Sequence, residues 1–193
     1  MMRIITGKAR GVKLRTLEGE TTRPTAERTK EAVFSMIQFD IEGRRVLDAF
    51  AGSGQMGLEA LSRGAARAVL IDKNKAAVDV IKKNIELTRM GDSAIALCAD
   101  ISDYLKRMSG KEKYDIVFLD PPYSSDLIEN TLNCLIEYKM LANNATVICE
   151  SGQPLESLLK NGVPRGLHTV KSAKYGIAYV TILKSKEENE NEH

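Results

Sequence analysis

The chain has 193 residues and a formal net charge of +2, long enough to bury a full core in one α/β domain. No stretch is long or apolar enough to cross a membrane and the N-terminus has no apolar signal core, so a membrane-spanning chain is not expected and a cytoplasmic one is. Cys98, Cys134 and Cys149 lie in apolar runs without metal-ligand spacing, so they read as reduced core residues. Neither His168 nor His193 has a partner that suggests a metal or a catalytic triad, and no metal is expected.

Charge is unevenly spread. Residues 1–30 carry eight basic side chains against three acidic ones, a local balance of +5. A solvated basic face is the ordinary meaning of such a run, but an anionic polymer substrate favours the same distribution. The segment reads as a β-hairpin, Arg3 to Thr6 and Val12 to Thr16, around the turn Gly7-Lys8-Ala9-Arg10-Gly11. After Pro24 comes an amphipathic helix with Ala26, Val33, Phe34 and Ile37 on its inner side, and the aliphatic stem of Lys30 with them.

From Arg45 the pattern alternates strand and helix as far as Glu150, which predicts a mainly parallel sheet covered on both faces. Arg45-Val46-Leu47 ends at Asp48 and gives way to Ala49-Phe50-Ala51-Gly52-Ser53-Gly54-Gln55-Met56-Gly57. This is a strand, a tight turn and the start of a helix. Gly52 and Gly54 allow torsions closed to other residues, and the helix aims its N-terminal amides at a ligand. The same glycines satisfy a dinucleotide-binding pattern, so a nicotinamide or flavin enzyme competes with other nucleoside-cofactor readings.

The next strand, Ala68 to Ile71, stops at Asp72, where a doubly wound sheet places an acid that accepts from a ribose diol. One strand later Ala94 to Ala99 delivers Asp100 to the same edge, where it can accept from an adenine amine while Ile101 covers the ring. The competing reading makes Asp72 and Asp100 helix N-caps. Tyr114 to Leu119 is a further buried strand and ends in Asp120-Pro121-Pro122-Tyr123. The prolines stiffen the loop and remove two amide donors, leaving carbonyls. The Asp120 carboxylate and the Pro121 carbonyl can accept the two hydrogens of an exocyclic amine, and Tyr123 offers a face for a base to stack on.

Helices are predicted near 55–63, 74–89, 101–109, 126–138 and 154–161. Leu167 to Ala173 and Ile177 to Leu183 flank Tyr175-Gly176 as an antiparallel pair. The polar stretch 184–193 reads as a disordered tail. The expected divisions are thus 1–22, an RNA-binding hairpin extension; 23–183, the catalytic domain; and the tail.

The order Asp-x-x-x-Gly-x-Gly, acid, acid, Asp-Pro-Pro-Tyr resembles the class I S-adenosylmethionine-dependent methyltransferases that modify amino nitrogens. The opening Arg3-Ile4-Ile5-x-Gly7-Lys8-x-Arg10-Gly11-x-x-Leu14, followed by Arg23-Pro24-Thr25-x-x-Arg28-x-x-Glu31, narrows the resemblance to the bacterial RsmD family. It implies a Rossmann-like seven-stranded sheet with helices on both faces, and methylation of a guanine N2 amine in 16S ribosomal RNA, within a small-subunit assembly particle, by a monomer. The implied cofactor residues are Asp48, Ala49, Gly52, Ser53, Gly54, Gly57, Asp72, Lys73, Asp100 and Ile101. Asp120, Pro121, Pro122 and Tyr123 are the implied catalytic set, and Arg3, Lys8, Arg10, Arg15, Arg23, Thr25 and Arg28 the RNA contacts. A DNA or other amino-group methyltransferase would share the pocket, but DNA enzymes usually carry an added target-recognition region. A non-catalytic RNA-binding assembly factor would tolerate loss of Asp120.

Overall fold

The computed structural model describes residues 2–17, 24–122 and 125–186. Strand and helix alternate as the apolar pattern requires: α1 (Pro24–Met36), β1 (Arg45–Asp48), α2 (Gln55–Ser62), β2 (Arg67–Asp72), α3 (Lys75–Thr88), β3 (Ala94–Cys98), α4 (Ile101–Met108), β4 (Tyr114–Leu119), α5 (Ser125–Glu137), β5 (Leu141–Ser151), α6 (Leu155–Leu158), β6 (Leu167–Tyr175) and β7 (Ala178–Ser185). Among the described residues no helix is long and apolar enough to cross a membrane.

The seven strands form one sheet in the order β3-β2-β1-β4-β5-β7-β6. The central pairs are parallel, and β7 runs antiparallel to both of its neighbours. Strands buried on both faces must be apolar throughout, and Val46-Leu47, Ile116 to Leu119 and Val147 to Cys149 are. Alternation sends Val46, Ile116, Phe118 and Ile148 into a core shared with α1, α2 and α3. Leu47, Val117, Leu119 and Cys149 face the opposite core, under α4 and α5.

The strand order reverses between β1 and β4. A helix leaves β1 toward one side of the sheet and another arrives at β4 from the opposite side, so the carboxyl ends of these two strands border a crevice.

Several expectations change. The N-terminal hairpin forms a single bridge, Arg3 with Lys13, in place of two strands. Its backbone looks elsewhere for partners: Ile5 and Thr6 donate their N–H groups to the Glu59 carboxylate at 2.7 and 3.0 Å, and Lys8 and Ala9 donate to the Ser62 carbonyl and hydroxyl. Ile4, Ala9 and Leu14 are buried in the same core as α1 and α2. Gly7 is there because nothing else fits, since a Cβ on it would lie 1.7 Å from the Ser62 carbonyl oxygen.

The helix expected over 154–161 is only Leu155–Leu158, because Leu159 turns extended and Asn161 donates its N–H to Glu129 on α5. β7 runs into the stretch read as a tail. Lys184 bonds Asp40, and the Ser185 hydroxyl donates to the Ala142 carbonyl; residues 187–193 lie outside the described set. Cys149 is core as expected, but Cys98 is exposed and Cys134 half-buried, because β3 is an edge strand whose end meets solvent.

Lys30 corrects the charge reading. It is buried, with its ammonium 3.4 Å from the Glu59 carboxylate and donating to the Arg3 carbonyl at 2.8 Å. Burial pulls its pKa down, while Glu59 opposes the fall. Glu59 is fully buried and also accepts from Arg63 at 2.8 Å. Removing one partner of a buried pair leaves the other uncompensated, so Glu59→Ala should lower the unfolding free energy by about 3 to 5 kcal/mol. The exposed Arg3–Glu27 pair should contribute about 1 kcal/mol or less when Arg3 becomes Ala. Urea denaturation of both variants checks the contrast; equal losses would contradict it.

Candidate active site

The loop after β1 is held from both neighbouring strands. Ala49 donates to the Phe118 carbonyl on β4, and Ala51 donates to the Ile71 carbonyl on β2. Gly52 donates to Asp72 Oδ2 at 2.9 Å, and Gly57 donates to Asp48 Oδ2 at 2.9 Å. Gly54 sits at φ +79, and a Cβ on it would come within 2.9 Å of Leu70, so the tight turn and the close approach of α2 to β2 both require glycine. Gly54 caps α2 without any side-chain hydrogen bond, and since the Gly57 N–H is taken by Asp48, the Gln55 and Met56 amides are the ones left for a ligand. Around Gly52, at φ +53, nothing occupies the space a side chain would take.

The two candidate caps part company. Asn74, not Asp72, caps α3, accepting from Ala76. Asp72 instead braces the glycine loop, with Oδ1 accepting from Asn74 N–H at 2.8 Å, and each of its oxygens keeps a second lone pair. Asp100 does cap α4, accepting from Ser102 at 2.8 Å. Ile101 is buried in the core beneath α4, and Lys73 is exposed, its carbonyl accepting from the Cys98 thiol. Ala49 and Ser53 are buried, and the Ser53 hydroxyl donates to the Met2 sulfur.

Asp48 ends β1 and Asp120 follows β4, so the parallel register, which pairs Asp48 with Phe118, brings the two acids to one edge. Burial raises the Asp48 carboxyl to about 7, the Gly57 N–H opposes the rise, and the charges of Asp120 and Asp72 add to it. Asp120 is reachable from solvent, yet the strand ends crowded around it exclude enough water to push its carboxyl up to about 6. Pro121 is buried and Pro122 exposed. Tyr123 lies outside the described residues.

Of the residues read as RNA contacts, Lys8, Arg10, Arg15 and Arg28 are exposed, and Arg3 is exposed in its pair with Glu27. Arg23 lies outside the described residues, and Thr25 is on α1.

Three residues escaped the sequence reading. Glu59 and Ser62 clamp the N-terminal segment. Asn84, fully buried on α3, donates to the carbonyls of Arg15 at 3.0 Å and Ser53 at 2.8 Å while accepting from Arg15 N–H at 2.8 Å. It joins the N-terminal segment to the glycine loop. Nothing in the helical pattern distinguishes Asn84 from a surface asparagine except that its position falls on the inner face with Ile81 and Ile85.

The strand order, the glycine turn after β1 and the reversed last strand define a class I methyltransferase fold. A solved Escherichia coli protein, yhhF, superposes with a TM-score of 0.83 at 32% identity, covering 97% of this chain and 99% of its own. The Bacillus subtilis protein YlbH is 32% identical over 186 residues, 96% of this chain and 100% of its own length. Ribosomal RNA small subunit methyltransferase D of Escherichia coli K12 is 36% identical over 163 residues, 84% of this chain and 78% of its own. Residues 2–184 match the family model described as Conserved hypothetical protein 95. The chain belongs to that family, the RsmD family that its motifs resemble.

Asp48 supplies a pH test of the crevice. Its carboxyl lies near 7 in the fold against about 3.9 unfolded. A raised carboxyl pKa contributes stability that is complete below about 4 and is lost as pH rises through about 7. Asp48→Asn keeps an acceptor for the Gly57 N–H and cannot ionise. Its stability relative to the native chain should therefore improve between pH 5 and pH 8 in urea titrations, and a decline over that range would refute the assignment.

Proposed function

We propose that this chain, an rRNA methyltransferase by its family, transfers a methyl group from S-adenosylmethionine to the exocyclic N2 amine of a guanine in small-subunit ribosomal RNA, presented in an assembly particle. The observation that carries the proposal is that Asp48, opposite Phe118, and Asp120, two residues beyond Phe118, come to one edge of the β1–β4 crevice, beside a glycine loop with open space, in a chain related to an enzyme named ribosomal RNA small subunit methyltransferase D. S-adenosylmethionine would supply an already activated methyl on a cationic sulfur.

The residues present fit that group. Gly52 leaves room for it, the uncapped start of α2 offers amides to its carboxylate, Asp72 and Asp100 retain acceptor capacity for ribose and adenine, and the acids around the crevice complement its positive charge. Ala49, Ser53 and Gly57 shape the loop from within, as does Asp48 through Gly57, and Lys73 and Ile101 flank the cofactor's outer end.

The chain's part in the reaction is positioning. An exocyclic amine is a poor nucleophile because its lone pair is delocalised into the ring. Asp120 and the Pro121 carbonyl accept the amine hydrogens and turn the nitrogen toward the methyl, while the Pro121-Pro122 step keeps those acceptors from relaxing. Tyr123 is the proposed stacking face. Orientation of this kind is worth on the order of 7 to 11 kcal/mol at best. Once the C–N bond forms, the nitrogen becomes acidic and its proton passes to a neighbouring carboxylate.

Asp120→Ala should lower turnover about 100- to 1000-fold, the usual effect of removing one preorganised polar group, while calorimetric affinity for S-adenosylhomocysteine persists. Intact turnover with lost cofactor affinity would reverse the assignment. The measurement is labelled-methyl incorporation into ribosomal RNA, followed by mass spectrometry of the nucleosides.

The exposed basic side chains of the N-terminal segment are the proposed RNA contacts. Changing Lys8, Arg10 and Arg15 together to Ala should weaken RNA binding and flatten its salt dependence, by about 0.7 in the log–log slope for each phosphate of a single strand that is no longer neutralised. Filter binding across a salt series reads both quantities. An unchanged slope would leave the basic run as a solvated face.

A further inference from the structure

We infer that Glu150 is a specificity-determining residue of the proposed transfer site: beside Asp120, its carboxylate accepts the ring N–H adjacent to the amine and so selects guanine. The inference rests on the amino-methyltransferase reading above and adds a residue that no motif in the sequence marks.

The sheet fixes the placement. β4 and β5 are parallel, with Leu119 opposite Cys149, so the next residue of each strand is Asp120 and Glu150. Adjacent strands lie about 4.8 Å apart, a separation that two carboxylates on one face can bridge toward neighbouring donors of a single base. The face is the same for both. Phe118 and Ile148, two residues earlier, belong to the core under α1 and α2, and alternation returns Asp120 and Glu150 to that side, where Asp48 also follows Val46. On its other flank Glu150 is opposite Val180, which is fully buried in that core. Glu150 is therefore hemmed in by apolar surface on one side and faces an acid on the other.

Electrostatics agree with the register. Burial, and after it the charge of Asp120, raise the Glu150 carboxyl to about 8. Among the described residues neither Asp120 nor Glu150 has a hydrogen-bond or ion-pair partner, whereas Asp48, Asp72 and Asp100 each accept a backbone N–H. A carboxyl that accepts no hydrogen bond from the protein keeps its full acceptor capacity for a ligand that brings donors. Guanine does, because its N2 amine and N1–H are adjacent donors on one edge. Adenine and cytosine present an acceptor nitrogen beside their amine, which the ionised Glu150 carboxylate would meet with like polarity; a protonated carboxyl could donate to that nitrogen, so the selection belongs to the ionised form, which the guanine donors and a cationic cofactor favour. A site built to receive a donor rejects an analogue that lacks it far more strongly than an apolar pocket can.

The test uses the full chain and small-subunit ribosomal particles from cells lacking this methyltransferase. Labelled methyl transfer is measured for the native protein, Glu150→Ala and Glu150→Gln, with nucleoside mass spectrometry and S-adenosylhomocysteine calorimetry as controls on base identity and folding. Glu150→Ala should lower kcat/KM about 100-fold or more, with cofactor affinity unchanged, and Glu150→Gln, which keeps one acceptor oxygen, should recover part of the loss. Inhibition by guanosine 5′-monophosphate and by 2-aminopurine riboside 5′-monophosphate, which keeps the amine but lacks the ring N–H, separates recognition from support. The native protein should prefer the first by about tenfold or more, and Glu150→Ala should bind the two alike. A preference unchanged in Glu150→Ala, or undiminished transfer to guanine, overturns the inference alone. Methyl found on another base, or on none, in the native protein overturns the reading of the reaction and the inference with it.

Discussion

The parallel register of β1 against β4 is the constraint on which the rest depends. These strands are distant in sequence and adjacent in the sheet, and their pairing sets Asp48 and Asp120 at the mouth of the crevice where the strand order reverses. Bringing acids together in a place from which water is largely excluded is unfavourable, and the raised pKa values of Asp48, Asp120 and Glu150 express that cost. The fold offsets part of it with the Gly57 N–H on Asp48. The remainder is a standing preference for a cation or for hydrogen-bond donors, which is what the proposed cofactor and base would bring.

α2 connects the two functions proposed for the chain. Its first turn emerges from the glycine loop, and its last turn holds Glu59 and Ser62, to which the backbone of residues 5 to 9 is bonded. Asn84 makes a second tie, from Arg15 to the Ser53 carbonyl. The basic side chains of the N-terminal segment are thus mounted on backbone fixed to the glycine loop itself. A short helix and one buried asparagine give the proposed RNA contacts a defined distance from the crevice, which a flexible arm could not provide.

Most of the frame was legible because strand and helix periods are written in local apolar spacing. The strands β1 to β4 and the helices α2 to α5 fall within a residue or two of their expected limits. What local spacing cannot carry is partnership across the fold. The stem of Lys30 is read on the inner side of its helix, but nothing in the spacing marks Glu59 as its partner, and only tertiary packing makes them a buried pair. The bridge from Arg3 to Lys13 failed to extend because Glu59, far along the chain, outcompeted a cross-strand partner for the N–H groups of Ile5 and Thr6. Glu150 is the clearest case. It marks only the end of the alternating strand and helix pattern, and its neighbour Asp120 is supplied by sheet order rather than by sequence proximity. Asp100, conversely, carries the cap that the sequence left as an alternative, and its oxygen not engaged by Ser102 is the one left for adenine in the proposed site.

The small net charge hides a separation that bears on how RNA would approach. Acids gather at the carboxyl ends of β1, β2, β4 and β5, while Lys8, Arg10, Arg15 and Arg28 stand exposed on the N-terminal segment and α1. In the proposed reaction a phosphate backbone is drawn to the basic surface and repelled from the crevice. An uncharged base presenting donors meets the opposite preference. The two fields together favour an arrangement in which the sugar-phosphate chain stays outside and one base alone turns inward, as enzymes that modify a base within a stack require. The same acids that position the amine thereby exclude the rest of the polymer, so recognition of the amine and exclusion of phosphate arise from one cluster of strand ends.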